Sequence, residues 1–308
     1  MSQSNGKPVR IGTRGSPLAL VQARTVQARL AAALGVAPDA VEIKVIRTSG
    51  DRIQDRPLSE VGGKGLFTKE IEEALIAGEI DVAVHSAKDM PTVLPGGLML
   101  AACLEREDPR DAFISNTAKS VAELPQGAVV GSASLRRQAI LKAMRPDFQV
   151  MSLRGNVETR LRKLDDGEVD ATILAMAGLK RLGLGARVTQ AMPVETFLPA
   201  VAQGAIGLET RENDESTRAL LARVNHGDTF TAVACERAFL AELDGSCKTP
   251  IGGHAVVAGD ALSFRGLIAK PDGSAAHDVQ LSGTRGDAVT IGAEAGRALK
   301  SRAGPGFF

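Results

Sequence analysis

Two hydrophobic periods alternate along most of this chain, and their alternation predicts its elements. VRIGT (9–13) is an apolar run of strand length. After Arg14-Gly15 the period lengthens into the amphipathic LALVQARTVQARLAAAL, with Ser16 placed to cap a helix, Pro17 at its favoured first position and Gly35 at its end. VEIKVIRT (41–48) reads as a second strand. The seventeen residues SGDRIQDRPLSEVGGKG that follow carry charge and glycine with no period, which predicts a mobile functional loop. A helix over LFTKEIEEALIAGE leads to the apolar strand IDVAVHS (80–86), which stops at Ala87-Lys88-Asp89-Met90-Pro91. LMLAACLE (98–105) is a further strand, and the charged, proline-bearing EREDPRDAF marks a hinge or boundary.

The alternation then restarts. AVVGS runs into SLRRQAILKAM, FQVMSLR into GNVETRLRKLDDGE, and DATILA into MAGLKRLGLG, three strands each followed by a helical pattern. PAVAQGAIGLETR (199–211) holds another strand, whose place in the chain would let it return to the first sheet. From about residue 228 a long helix, TFTAVACERAFLAEL, precedes short antiparallel strands with a PDGS turn and a closing helix near 287–300. Two strand–helix sets predict an α/β protein with two lobes and a small C-terminal α+β domain. The expected division is 1–104 with 202–224, then 105–201, then 225–308.

Composition narrows the function classes. At 308 residues, 44% apolar and 24% charged, the chain has the makings of two or three folded domains and neither a disordered nor a fibrous character. A net charge of +1 predicts no bulk attraction to nucleic acid or membrane, and a chain without Trp or Tyr lacks the stacking platforms of single-strand binding. MSQSNGKPVR has no signal-peptide core and no later run reaches membrane-spanning length, so a cytoplasmic location is expected. Three scattered cysteines, with no CxxC or HExxH spacing, predict neither a disulfide framework nor a structural zinc site.

Arginines recur at one topological place. Arg14 follows a strand, Arg136 and Arg137 open the helix after AVVGS, Arg154 closes FQVMSLR with Arg160 in the next helix, and Arg181 lies on the helix after DATILA. In open α/β sheets ligands gather at the carboxyl ends of strands, where helix N-termini add positive potential. Several guanidinium forks there would select a polycarboxylate, although phosphate satisfies the same geometry and surface helices are rich in Arg without any ligand. Asp89 stands at a strand's carboxyl end, an address for holding a developing cation or relaying protons, and equally for a turn aspartate paired with Lys88. His85, inside an apolar strand, reads as a satisfied core histidine rather than a base.

The three thiols differ. Cys103 sits in an apolar strand and Cys235 on the apolar stripe of a helix with Ala232, Phe239 and Leu243, so both are expected to be buried and inert. Cys247, in LDGSCKTPIGGHA, has glycines on both sides and Lys248 beside it, which would lower its pKa below about 8.5. Nucleophile, redox sensor and covalent anchor all remain open. A cysteine-dependent acyl transferase would need His254 as base, and a non-catalytic two-lobed module for an acidic ligand would leave Cys247 and Asp89 without a task.

Taken together, RIGTRGSPLAL, GGKGLFTKE, DVAVHSAKDMP, REDPRDAF, GSASLRRQ, LRGNVETRL, ILAMAGLKRLG, PAVAQGAIGLE and GSCKTPIGGHA resemble the porphobilinogen deaminase (hydroxymethylbilane synthase) family of tetrapyrrole, porphyrin and heme biosynthesis, over nearly the whole chain. The resemblance implies two lobes like those of periplasmic binding proteins with an active-site cleft between them, and a third domain bearing the cysteine. The ordinary surface composition predicts a monomer, and the resemblance implies a transferase that joins four porphobilinogen molecules head-to-tail with loss of ammonia to give hydroxymethylbilane, primed on a dipyrromethane held by a thioether at Cys247. Asp89 matches the family's catalytic aspartate. Lys88, Ser134, Arg136, Arg137, Arg154 and Arg160 would hold the cofactor. Arg14, Ser16, Arg154, Arg160, Arg181, Lys64, Phe67 and Gln203 would meet the substrate; no metal is implied. The chain departs from the family in having Gly245-Ser246-Cys247-Lys248 where Gly-Gly-Cys-Gln is common, Ala202 where PAVGQG has glycine, and Val21 for a common Trp.

Overall fold

The computed structural model describes residues 8–52, 65–244 and 249–307. Along the chain run β1 (Val9–Thr13), α1 (Pro17–Leu34), β2 (Val41–Val45), α2 (Ser49–Arg52), α3 (Lys69–Ile76), β3 (Val82–Ser86) and β4 (Leu98–Cys103). They are followed by β5 (Asp111–Ser115), β6 (Val129–Gly131), α4 (Leu135–Met144), β7 (Gln149–Met151), α5 (Val157–Asp165), β8 (Ala171–Ala175), α6 (Met176–Arg181) and β9 (Gln190–Ala191). The last segment holds β10 (Ile206–Arg211), α7 (Glu215–Ala222), α8 (Gly227–Glu242), β11 (Ile251–Ala258), β12 (Ala261–Ala269), β13 (Ala276–Thr284) and α9 (Ala288–Ala303).

By contacts the chain divides into two compact units, 1–105 with 206–230, and 106–205 with 231–308. The first is built on a five-stranded sheet ordered β2-β1-β3-β10-β4, parallel from β2 to β3, with β10 antiparallel to both its neighbours. Its core is the sheet face under α1, where Val26 and Leu30 of the helix meet Ile11, Val82, Val84 and Leu208. Helix α1 starts as its residues dictate: Pro17 opens it, the Ser16 hydroxyl accepts the Ala19 N–H at 3.3 Å, and Gly35 closes it at φ 72°.

The second unit carries a five-stranded sheet of the same pattern, β7-β6-β8-β5-β9, with β6 parallel to β7 and β8, and β5 antiparallel to β8 and β9. It also holds the meander β11-β12-β13, crossed by α8 and α9. Gly292 of α9 lies so close to α8 that a Cβ there would stand 2.0 Å from the Cys235 carbonyl oxygen. Phe239 of α8 packs on Phe264, ring centroids 4.9 Å apart, over the glycine-bearing face of the meander at Gly253 and Gly266.

A buried carboxylate joins three stretches of this unit. Glu236, fully buried, accepts Arg106 at both oxygens (2.6 and 3.1 Å), the Ala202 N–H at 2.5 Å and the Ala255 N–H at 2.7 Å. Ala202 adopts φ 60°, a left-handed conformation that favours glycine.

Three expected elements are shorter than their apolar runs. The 41–48 strand ends at Val45 because its partner β1 ends opposite it at Thr13, and a helical turn begins at Ser49. Of 199–211 only Ile206–Arg211 is strand, because Ala202 and Gly204 both take positive φ in the turn before it. FQVMSLR contributes only Gln149–Met151, at the edge of its sheet. Residues 53–64, most of the expected mobile loop, lie outside the described residues.

Candidate active site

In the first unit the carboxyl ends of β1 and β3 open into a pocket that is partly open to solvent. Arg14 and Ser16 come from the corner after β1, Gln22 from α1, Phe67 and Thr68 from the approach to α3, and His85, Ser86 and Asp89 from the end of β3. Four expected site residues, Arg14, Ser16, Phe67 and Asp89, thus share one wall-to-wall space, and Lys88 lies on the same one-turn helix as Asp89. The Arg14 guanidinium lies 4.1 Å from the Phe67 ring centroid, a cation–π contact that orients it. The Gln22 amide donates to the Ser86 hydroxyl at 2.9 Å. Ser16 does double duty, its hydroxyl being the cap of α1.

In the second unit another group forms. Arg136 and Arg137, both buried, converge on fully buried Asp111, which accepts Arg136 Nη2 at 2.7 Å, Arg137 Nη2 at 2.6 Å and Nε at 3.0 Å, and Gln203 Nε2 at 3.0 Å. The guanidiniums also reach carbonyls, Arg136 that of Leu198 at 2.6 Å and Arg137 that of Ile173 at 3.0 Å. Burial alone would raise the Asp111 carboxyl, but the Arg136 and Arg137 charges overcome it and hold the group at about 2. Arg181 donates to the Gly204 carbonyl at 2.6 Å, next to Gln203, and burial pushes its guanidinium down. Ser134 caps α4, accepting the Arg137 N–H at 3.5 Å. Arg154 precedes the Asn156-capped helix α5, which carries Arg160.

Lys64 and Cys247 lie outside the described residues. Cys103 and Cys235 are buried, and burial pushes the Cys235 thiol up to about 12. His254, on β11, is pushed down by its own burial. His85 is buried, yet it differs from a satisfied core histidine: Nε2 lies 3.1 Å from Glu209 Oε2 without hydrogen-bond alignment.

Sequence inspection missed Asp111, Glu236, Gln22 and Ser86. Asp111 had a local signal, a carboxylate opening the apolar run DAFI, where an unpaired charge would be costly. Gln22 had none beyond a polar position on the buried stripe of α1.

The residues present suit a ligand rich in carboxylates. Two buried guanidiniums share one carboxylate, which leaves that cluster one positive charge in excess, and Arg136 Nε has no hydrogen-bond partner among the described residues. Arg154 Nη1 is likewise buried without one. The fold is that of an α/β protein with an aspartate at a strand end in one unit and buried guanidiniums in the other.

Comparison with known proteins makes this specific. The family model "Porphobilinogen deaminase, dipyromethane cofactor binding domain" matches residues 9–219, and "Porphobilinogen deaminase, C-terminal domain" matches 230–301. The porphobilinogen deaminase of Nitrobacter hamburgensis is 58% identical over 99% of this chain and 98% of its own. That of Nitrobacter winogradskyi is 59% identical over 97% and 94%. The chain belongs to the porphobilinogen deaminase family. Among solved structures, immunogenic lipoprotein A from Vibrio vulnificus matches at 14% identity and TM-score 0.45, over 72% of this chain and 97% of that one. A periplasmic substrate-binding protein of an ABC transporter from Coxiella burnetii matches at 16% and 0.43, over 74% and 96%. Likeness at that level carries no argument about function.

Proposed function

We propose that Asp89 carries the chemistry of this transferase and that Cys247 carries its primer. As a member of the family, the chain is an enzyme that condenses four porphobilinogen molecules head-to-tail, releasing ammonia, into hydroxymethylbilane. Its cofactor is dipyrromethane, which supplies the pyrrole ring from which the chain is extended.

The observation that supports the Asp89 assignment is its pocket: a carboxylate at the end of β3 facing a space walled by Arg14, Ser16 and Phe67. Loss of ammonia from an aminomethylpyrrole leaves positive charge spread over the ring. A fixed carboxylate lowers that charge's energy where water is partly excluded, and it accepts the pyrrole N–H as the charge grows. Arg14 and Ser16 would bind the acetate and propionate groups on the same ring, fixing it against Asp89. Arg136, Arg137, Arg154, Arg160 and Arg181, with Lys88, Ser134 and Gln203, would serve the other carboxylates of a growing chain. Arg136 and Arg137 would do so as a pair whose single excess charge faces the ligand. Lys64 and Cys247 are assigned by motif alone, Cys247 as thioether anchor in the third segment, 225–308. The enzyme is proposed to work as a cytoplasmic monomer without nucleic-acid or membrane partner, which a net charge of +1 supports. Among the described residues, no helix is long and apolar enough to cross a membrane.

Intact mass under denaturing conditions tests the anchor. The active protein should exceed its polypeptide mass by a dipyrromethane, and Cys247→Ala should not; bare mass in fully active protein removes the assignment. Asp89→Asn tests the carboxylate. It should leave the far-UV circular dichroism unchanged while turnover falls by about 10² or more, and near-normal turnover removes Asp89 from the reaction.

A further inference from the structure

Strand alternation sends Val82 and Val84 of β3 into the core under α1, and Ala83 and His85 to the opposite face, where Ala83 joins Ile71 and Leu75 of α3. His85 is 5% exposed, and the part that shows lines the same pocket as Asp89. Behind it, on β10, stands Glu209, with no exposure at all and its Oε2 3.1 Å from His85 Nε2. In the ladder Gly207, not Glu209, pairs with His85, so the carboxylate reaches the ring diagonally. Neither Glu209 oxygen nor His85 Nε2 has a hydrogen-bond partner among the described residues. Glu72, buried on α3, is the third member: burial and the Glu209 charge push its carboxyl up, and its Oε1 also has no partner among the described residues.

A buried carboxylate without hydrogen bonds is costly, and two carboxylates close enough to repel cost more. Burial and the Glu209 charge push the Glu72 carboxyl toward its protonated form, which lowers that cost. Among the described residues no Lys or Arg forms an ion pair with Glu209 or Glu72. Arg10 and Arg211 are committed to Asp81 before the start of β3, Lys69 and Glu73 are exposed on α3, and Arg14, Lys88 and Asp89 belong to the pocket and its rim. Among the described residues no group of three or more such side chains is placed to hold a metal ion.

We infer that His85, backed by Glu209 and Glu72, is a proton store in the wall of the Asp89 pocket, holding the proton that each condensation takes from a ring carbon. The inference rests on the assignment of that pocket to the condensation. In each round the aminomethyl C–N bond breaks and ammonia leaves with its electron pair. A C–C bond forms to the acceptor ring, and the C–H bond at the attacked carbon releases a proton. The amine leaves from its protonated form, so ammonia is already free when the ring carbon gives up its proton. That proton passes to the His85 imidazole and from there to the freed ammonia as ammonium, so the cluster ends each round as it began. His85 is thereby a positioning residue for the proton, with Glu209 and Glu72 setting how firmly it is held.

His85→Gln and Glu209→Gln are compared with the cofactor-loaded wild type by pH–rate profile and by NMR titration of the four histidine rings, with circular dichroism as the folding control. His85→Gln should lower kcat tenfold or more with KM little changed, and should remove the acid limb of the kcat profile. Glu209→Gln should move that limb to lower pH, because a proton on His85 would lose the counter-charge 3.1 Å away, and should move the ring resonance missing from His85→Gln in the same direction. Folded variants with wild-type kcat and an unmoved limb overturn the inference. If His85→Gln does not fold, an unmoved limb and ring resonance in Glu209→Gln overturn it. Asp89→Asn separates the two failures: if it retains full turnover, the pocket assignment falls, and if it alone is inactive, only the proton store falls.

Discussion

Asp111→Asn puts the energetics of the second unit to the test. The wild-type carboxylate is fully buried, accepts four hydrogen bonds and is the shared counter-charge of Arg136 and Arg137. Two routes give the magnitude. Holding a carboxyl at about 2 instead of 3.8 is worth roughly 2.5 kcal/mol at neutral pH. Removing one partner of a buried ion pair typically costs about 3–5 kcal/mol, and here two guanidiniums are left facing each other. A loss of about 2.5–5 kcal/mol is a large part of the roughly 5–15 kcal/mol that keeps a domain folded. The chain has no Trp or Tyr, so far-UV circular dichroism is the natural probe of urea unfolding. The sign with pH is fixed. A carboxyl depressed on folding stabilises the protein above its unfolded value, and that contribution fades as pH falls from about 4 through about 2. The gap between wild type and Asp111→Asn should therefore narrow as unfolding is repeated from pH 7 toward pH 3. A gap under about 1 kcal/mol at pH 7, or one that does not narrow, refutes the assignment of Asp111 as the buried counter-charge.

Other substitutions give further tests. Ala202→Gly should stabilise by about 1 kcal/mol, raising Tm by roughly 2 °C, because glycine accepts φ 60° without strain; calorimetry showing a lower Tm would contradict it. Gly292→Ala should destabilise by several kcal/mol in urea, since its Cβ would overlap the Cys235 carbonyl oxygen at 2.0 Å and α9 would have to lift from α8. A thiol reagent at pH 8 should find neither Cys103 nor Cys235 in the native protein. After denaturation it should count two thiols in the cofactor-loaded form and three in Cys247-bearing protein made without the cofactor. Glu236→Gln should cost about 3–5 kcal/mol by leaving Arg106 without its buried counter-charge, measured by urea unfolding of the same unit.

At α1 the chain's own punctuation is enough: Ser16, Pro17 and Gly35 act on backbone groups within four residues, so the helix is legible from end to end. The same holds for the β12–β13 turn, where Gly273 takes φ 76°. Legibility fails where a partner lies far along the chain. Nothing within 41–48 reveals that β1 stops at Thr13 and ends the ladder at Val45. Arg136 and Arg137 announce positive charge at a strand end, but Asp111 arrives from 25 residues earlier and Gln203 from 66 later, so their buried pairing was invisible. Motif matching named four residues that share the Asp89 pocket, Arg14, Ser16, Phe67 and Asp89, because all sit in local signatures, but not its Gln22, Thr68 or Ser86. It gave no role to Glu209, which ends PAVAQGAIGLE and matters only through His85, 124 positions away in sequence.

The position of β10 has a consequence for how the protein comes into being. The strand that fills the gap between β3 and β4 is encoded about a hundred residues after β4, beyond the whole of the second sheet. On a ribosome adding about 5–20 residues each second, the amino-terminal unit waits roughly 5–20 s with β3 and β4 unzipped from any neighbour on that side. The later-encoded α/β sheet is thus the first able to close, and a fragment truncated before residue 206 would expose two sticky strand edges.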